Sequence, residues 1–250
     1  MTETNHTLWT DAHRILRHSI CQVTASFRPL VRIAIRFIPL LVVCGAFVLI
    51  AGLGSGSMTL AMIAFFFLFA ILAAMAIAFH RYILTGETAF RLRWRAVARY
   101  VGMLFVIQLA AGLAIAPLTL SASLMVARNP GAASLVFLLA LVSFYWVSLR
   151  LSPALVAIAL EEPPAVLKAW QVTAPLRGAL VVISLALIVF QFGGMLLLDR
   201  LTVALDRAGF GVLGVAAAVC GLIFYLFAAA LHLSLMTTLF GHCVQRRDLI

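Results

Sequence analysis

Apolar residues in this chain run in long unbroken stretches instead of alternating with polar ones. Six stretches are long enough to cross a bilayer: 37–53, 58–79, 101–126, 133–149, 179–198 and 211–240. A bilayer core takes about 20 mainly apolar residues per helix, with a range of about 17–25. A membrane strand would alternate over about 10 residues. In hydrocarbon, a helix satisfies every backbone N–H and C=O within its own segment. The pattern therefore predicts an all-α fold, a polytopic transmembrane bundle of six helices. Residues 151–160 are apolar again after Arg150. The fourth span either stops near Leu149 or runs on past the arginine and carries the charge deeper.

Two shorter segments are amphipathic. Leu8, Ala12, Ile15, Leu16, Ile20, Val23 and Phe27 recur at helical spacing, with Arg14, Arg17, His18 and Gln22 on the other side. This predicts an N-terminal helix lying in the interface, its apolar face in the acyl boundary. Pro163 and Pro164 open a second short helix through Ala165, Val166, Ala169 and Trp170, which Thr173 and Pro175 end. The chain divides into an N-terminal segment (1–36), the six-helix domain (37–240) and a tail (241–250). Residues 1–36 hold no continuous apolar run, so no cleavable signal peptide is expected, and the first span directs insertion.

Composition supports this reading. The 250 residues are 65% hydrophobic and 10% charged, against about 45–50% and about 25% in a soluble domain. Too few charged side chains remain to cover a water-facing surface. The net charge of +10 is unevenly placed. With six spans, 15 of the 18 Arg and Lys residues fall on one side and only Arg128, Arg200 and Arg207 on the other. Positive charge marks the cytoplasmic side, so both termini are expected there. In a membrane protein this excess points to anionic head groups, not to nucleic acid.

Several residues invite chemistry. Arg91, Arg95 and Arg99 share one helical face if the third span begins early. They are candidates for binding anionic lipid or a phosphate group, or are ordinary positive-inside anchors. Arg150 is either a snorkelling residue at the membrane edge or part of a charge pair or kinked gate around Pro153. Glu87, Glu161 and Glu162 are the acids within reach. His80, Arg81 and Glu87 sit where the second span ends, and a His with a Glu can move protons. No nucleophile or metal-ligand spacing accompanies them. His232, Gln108 and Gln191 lie inside spans, where cross-helix hydrogen bonding is the ordinary role. Cys21, Cys44, Cys220 and Cys243 form no CxxC pair. No acid lies in the middle of a span, which weighs against proton- or sodium-coupled carriers. HExxH, GxSxG and GxxxxGK[ST] are missing. No enzyme activity, cofactor or metal is expected.

Three stretches carry a resemblance. They are AFHRYILTGE (78–87) with FRLRWRAVARY (90–100), WVSLRLSPALVAIALEE (146–162) and AVLKAWQVTAPLRGALVVI (165–183). This order resembles a family of uncharacterised six-helix bacterial inner-membrane proteins. That family is similar to the group holding the glycerophosphodiester phosphodiesterase membrane domain and the YciC-like proteins. The positions matching the motifs are His80, Arg81, Glu87, Arg150, Pro153, Trp170 and Thr173. In this chain Gly178 comes later after Thr173 than in typical members. The resemblance implies a helical bundle in the bacterial inner membrane and no assigned chemistry. The expected function is to organise lipids or a membrane-protein partner through the basic cytoplasmic face. The alternative is a transporter or channel for a small or lipid-like solute.

Overall fold

The structure is a computed structural model that describes residues 3–50, 58–87 and 93–248. Helix α1 covers Glu3–Ala25, α2 Phe27–Ile50, α3 Met58–Thr85, α4 Trp94–Met125 and α5 Pro130–Ala159. A short α6, Val166–Val172, precedes α7, Arg177–Ile188. A π-helical turn at Val189–Gly193 leads into α8, Gly194–Arg207, and α9 spans Gly211–Cys243. No strand occurs among the described residues, and six helices are long and apolar enough to cross a membrane. The chain is an all-α, multi-pass membrane protein.

Several helices outrun the apolar stretches that announce them. Helix α2 begins at Phe27, joined to α1 through Ser26, whose N–H still bonds the Gln22 carbonyl at 3.0 Å. The fifth span continues through Asp199 and Arg200 to Arg207, because Leu198, Thr202 and Leu205 keep one face of α8 half-buried as it packs on α9. Helix α5 runs past both Arg150 and Pro153. Its start is fixed by Asn129, whose Oδ1 accepts the Ala132 N–H at 3.0 Å, with Pro130 in the first turn. Pro153 has no N–H to offer the Leu149 carbonyl one turn earlier. Ser152 Oγ donates to that carbonyl at 2.8 Å instead, so the helix passes its proline with the acceptor satisfied.

Helix α5 is the centre of the bundle. It packs against α3, α4, α6, α7 and α9, and residues 149–159 are buried without a break. Val147, Leu151 and Leu155 join the core shared with α3 and α4. Leu149 joins a second core built from α1, α7 and α9. A helix apolar all round is stable only when enclosed, and this enclosure explains why α5 continues past a charged residue.

Helix α1 is the expected amphipathic helix, and its inner stripe rests on protein. Ala12, Ile15, Ser19 and Val23 are buried as α1 lies on α7 and α9. Ile20 and Phe27, expected on the same face, are exposed. Gln22, expected on the polar side, is 2.6 Å from the Ser234 hydroxyl, which also lies 2.9 Å from the Ser19 carbonyl. Gly178 lets Leu8 close onto α7: a Cβ there would stand 2.6 Å from Leu8 Cδ1.

Burial is concentrated at the end of the bundle that carries both termini. The last turns of α3, α5 and α9 and most of α7 are packed there, joined by Val97 and Tyr100 of α4. The opposite half leaves Phe65, Phe66, Leu113, Leu124, Val212 and Leu222 uncovered by protein. In a bilayer such residues face acyl chains, which are as apolar as leucine, so little drives these helices together.

Candidate functional site

Arg150 lies nine residues before the end of α5, about 14 Å by helical rise. It is 5% exposed, because α6 folds back over it. Its guanidinium carbon is 3.5 Å from the Trp170 ring centroid and 5.1 Å from that of Trp146. The two indoles meet edge to face, with centroids 5.6 Å apart and planes at 77°. The cation fills the corner between them. Nη2 donates to the Trp170 carbonyl at 2.6 Å, and Nε is 3.4 Å from Thr173 Oγ1. Thr173 is fully buried and donates to the Ala169 carbonyl at 2.8 Å. Trp146 Nε1 donates to the Arg177 carbonyl at 2.9 Å, tying α5 to the start of α7.

The sequence left Arg150 either at the membrane edge or carried deeper, where a buried arginine needs a carboxylate, a carbonyl or water, and the structure gives it a carbonyl. The side chain is enclosed by protein, and no carboxylate pairs with it among the described residues. Two ring faces, the Trp170 carbonyl and the Thr173 hydroxyl take the place of the acid. A desolvated cation–π contact contributes about 2 kcal/mol, and a hydrogen bond to a charged group about 1.5–3 kcal/mol.

The acids sit in a separate cluster. Helix α5 ends with Glu161 in the left-handed conformation at φ 64°. The Glu162 N–H bonds the Ala157 carbonyl at 2.9 Å and the Glu161 N–H bonds that of Ile158 at 3.0 Å, which is the Schellman closure. This turn aims the Glu161 carboxylate at Arg81 Nη1, at 2.9 Å, and at Arg93 Nη1. Arg81 Nε also donates to Glu87 Oε2 at 2.7 Å. One chain of charges therefore joins the end of α3, the start of α4 and the end of α5. The hydrogen bond from Arg81, then that from Arg93, holds the Glu161 carboxyl below its usual range.

His80 takes no part in that cluster. It is fully buried, with Nδ1 2.8 Å from Thr237 Oγ1 and Nε2 3.2 Å from the Tyr100 hydroxyl. Thr237 sends its own proton to the Leu233 carbonyl at 2.8 Å. The consistent network has Nδ1–H donating to Thr237 and Nε2 accepting from Tyr100. His80 and Glu87, paired from sequence as a possible acid and base, thus have separate partners. Arg95 and Arg99 lie exposed on the first turns of α4, on a helix that does begin before position 101. Arg91 lies outside the described residues. Among the described residues, no group of three or more His, Cys, Asp or Glu could hold a metal ion.

Beside this packed end, α3, α4, α5 and α9 leave a cavity of about 420 Å³. Phe69, Leu104, Leu155 and Met236 form apolar walls, and Gln108, Ser148, Tyr225 and His232 supply polar groups. His232 stands edge-on to Tyr145, with centroids 6.1 Å apart. Tyr145 donates to Gln191 Oε1 at 2.7 Å, so Gln191, inside the π-helical turn, does bond across helices.

Sequence reading missed Trp146, Arg93, Tyr100 and Ser148 as members of these sites. Trp146 stands one helical turn before Arg150, a spacing that puts a ring beside a cation, and that signal was available. The other three depend on which helices meet, and no local pattern announces them. No protein-family model matches the chain, and no curated protein or solved structure matches it.

Proposed function

We propose that this multi-pass membrane protein engages membrane lipids by binding and not by catalysis. Its basic end gathers anionic head groups on the cytoplasmic side of a bacterial inner membrane, where a membrane-protein partner can also dock. The observation that carries this is the row of exposed arginines at one end. Arg14 and Arg17 stand on α1, Arg28 and Arg32 one turn apart on α2, and Arg95 and Arg99 one turn apart on α4. Glu161, an acid at that end, is engaged by Arg81 and Arg93 and leaves these six uncompensated by it. The stacked Arg150, the Glu161 cluster and the buried His80 serve as rigid support.

A cationic residue near an anionic leaflet contributes about 1 kcal/mol, roughly fivefold in affinity. Purified protein with Arg95→Gln and Arg99→Gln should lose most of its preference for phosphatidylglycerol over phosphatidylcholine in native mass spectrometry. An unchanged preference removes the proposal.

The cavity favours a second reading, passage of a small or lipid-like solute. In proteoliposomes, a fluorescent monoacylglycerol should change leaflets faster than in protein-free vesicles. Equal rates exclude that reading.

A further inference from the structure

The cavity between α3, α4, α5 and α9 has a deep end and a mouth. Ala73, Ala76, Tyr100 and Leu155 are buried at its floor, whereas Leu72 and Tyr225 are 48% and 60% exposed at its rim. The rim lies on stretches that otherwise face acyl chains, so an occupant enters from hydrocarbon. The volume of about 420 Å³ falls within the range of ligand pockets, about 300–1,000 Å³. It takes one alkyl chain and is far too small for a two-chain phospholipid.

Two features define what fits. The first is charge. None of the lining residues is Asp, Glu, Lys or Arg. An ionic ligand at this depth would have no counter-charge, and the penalty is large. The second is a hydroxyl without a partner. Ser121, Ser134, Ser143 and Ser184 each return their proton to the carbonyl one turn earlier, at 2.7–2.9 Å. Ser148 does not. Its buried Oγ is the one such side-chain oxygen or nitrogen without a hydrogen bond among the described residues, and it lines the cavity. Buried donors are nearly always satisfied, and a turn of the Ser148 side chain about χ1 brings this unused donor to an acceptor in the cavity.

We propose that the cavity binds a neutral single-chain lipid, of the monoacylglycerol or fatty-alcohol class, whose head oxygen accepts from Ser148. The alkyl chain lies along Phe69, Leu104 and Leu155. This rests on the second reading above only in placing a lipid-like occupant in the cavity; it does not require the occupant to cross.

The test is photo-crosslinking of the full chain in phosphatidylcholine nanodiscs with a diazirine monoacylglycerol, mapped by mass spectrometry. Crosslinks should concentrate on the cavity-lining stretches of α3, α4, α5 and α9, and unlabelled monolaurin should remove them. A diazirine alkyl sulfate of equal chain length should label these stretches more than about tenfold less, because its charge is uncompensated. Ser148→Ala should weaken competition by monolaurin about two- to tenfold, and Ala76→Leu should abolish the crosslinks by filling the floor. If Ala76→Leu does not fold, Ser148→Ala decides alone. Crosslinks spread evenly over all lipid-facing helices, equal labelling by the sulfate, or full competition in Ser148→Ala each overturn the proposal. Cavity crosslinks without leaflet exchange would exclude passage and retain the site.

Discussion

Trp170 holds Arg150 twice: its ring centroid lies 3.5 Å from the guanidinium carbon, and its carbonyl accepts from Nη2 at 2.6 Å. The short helix α6 is thereby fastened to the centre of the bundle by one residue. Trp170→Ala removes the ring and keeps the carbonyl, and should cost about 1–3 kcal/mol. Trp170→Phe keeps an aromatic face and should cost less. Arg150→Lys should behave like Trp170→Ala, because an ammonium has no plane to stack. Unfolding in detergent measures all three, and wild-type stability in Trp170→Ala would exclude this account.

Ser152 and Pro153 form a compensating pair. Ser152→Ala leaves the Leu149 carbonyl, buried at 0% exposure, without a donor. The expected loss is about 1–3 kcal/mol. Ser152→Ala combined with Pro153→Ala restores a backbone N–H at that carbonyl and should recover most of the loss. Additive losses in the double variant would refute the compensation.

Glu161 gives the protein an acid-sensitive contribution. Its carboxyl has a lower pKa when folded than its ordinary value of 4.5. A lowered folded pKa means stability that is complete above the unfolded value and lost as pH falls through the folded one. The unfolding temperatures of wild type and Glu161→Gln should therefore differ at neutral pH and converge below about pH 4.5. The carboxylate is well exposed, with its side chain 41% accessible, so the gap is at most about 1 kcal/mol. Glu161→Gly loses the same ion pairs but relieves the left-handed backbone. It should be about 1 kcal/mol more stable than Glu161→Gln.

Gly194 follows the π-helical turn, and a Cβ there would overlap the Phe224 ring. That ring is held against Phe190 at 4.8 Å between centroids. Gly194→Ala should cost about 1–3 kcal/mol through overpacking. Adding Phe224→Leu should recover part of it, and a thermal shift series on the two single variants and the double decides the point.

The spans were legible because hydrocarbon demands long apolar runs, and no partner is needed to recognise one. The continuation of α5 past Arg150 was not decided by the run itself. It depends on α6 supplying a ring and a carbonyl, a tertiary event that leaves no period in the sequence. The pairing of Glu161 with Arg81 and Arg93 was hidden for the same reason. Each residue was visible at a span boundary, yet their meeting depends on where three helix ends converge. The cavity was the least legible feature, since Ser148 reads like any other serine in a span. The helical face of α1 was read in part, through Ala12, Ile15 and Val23, but its neighbour could not be, because a lipid boundary and a protein groove select the same stripe.

The docking of α1 on α9 also has a consequence in time. Ser234 and the Ser19 carbonyl it bonds are 215 residues apart. At roughly 5–20 residues per second, the ribosome needs more than about ten seconds between making one and making the other. Throughout that interval the inner stripe of α1 has no groove to occupy. Its apolar residues must rest on the bilayer surface or on another protein until the last span arrives and completes the groove.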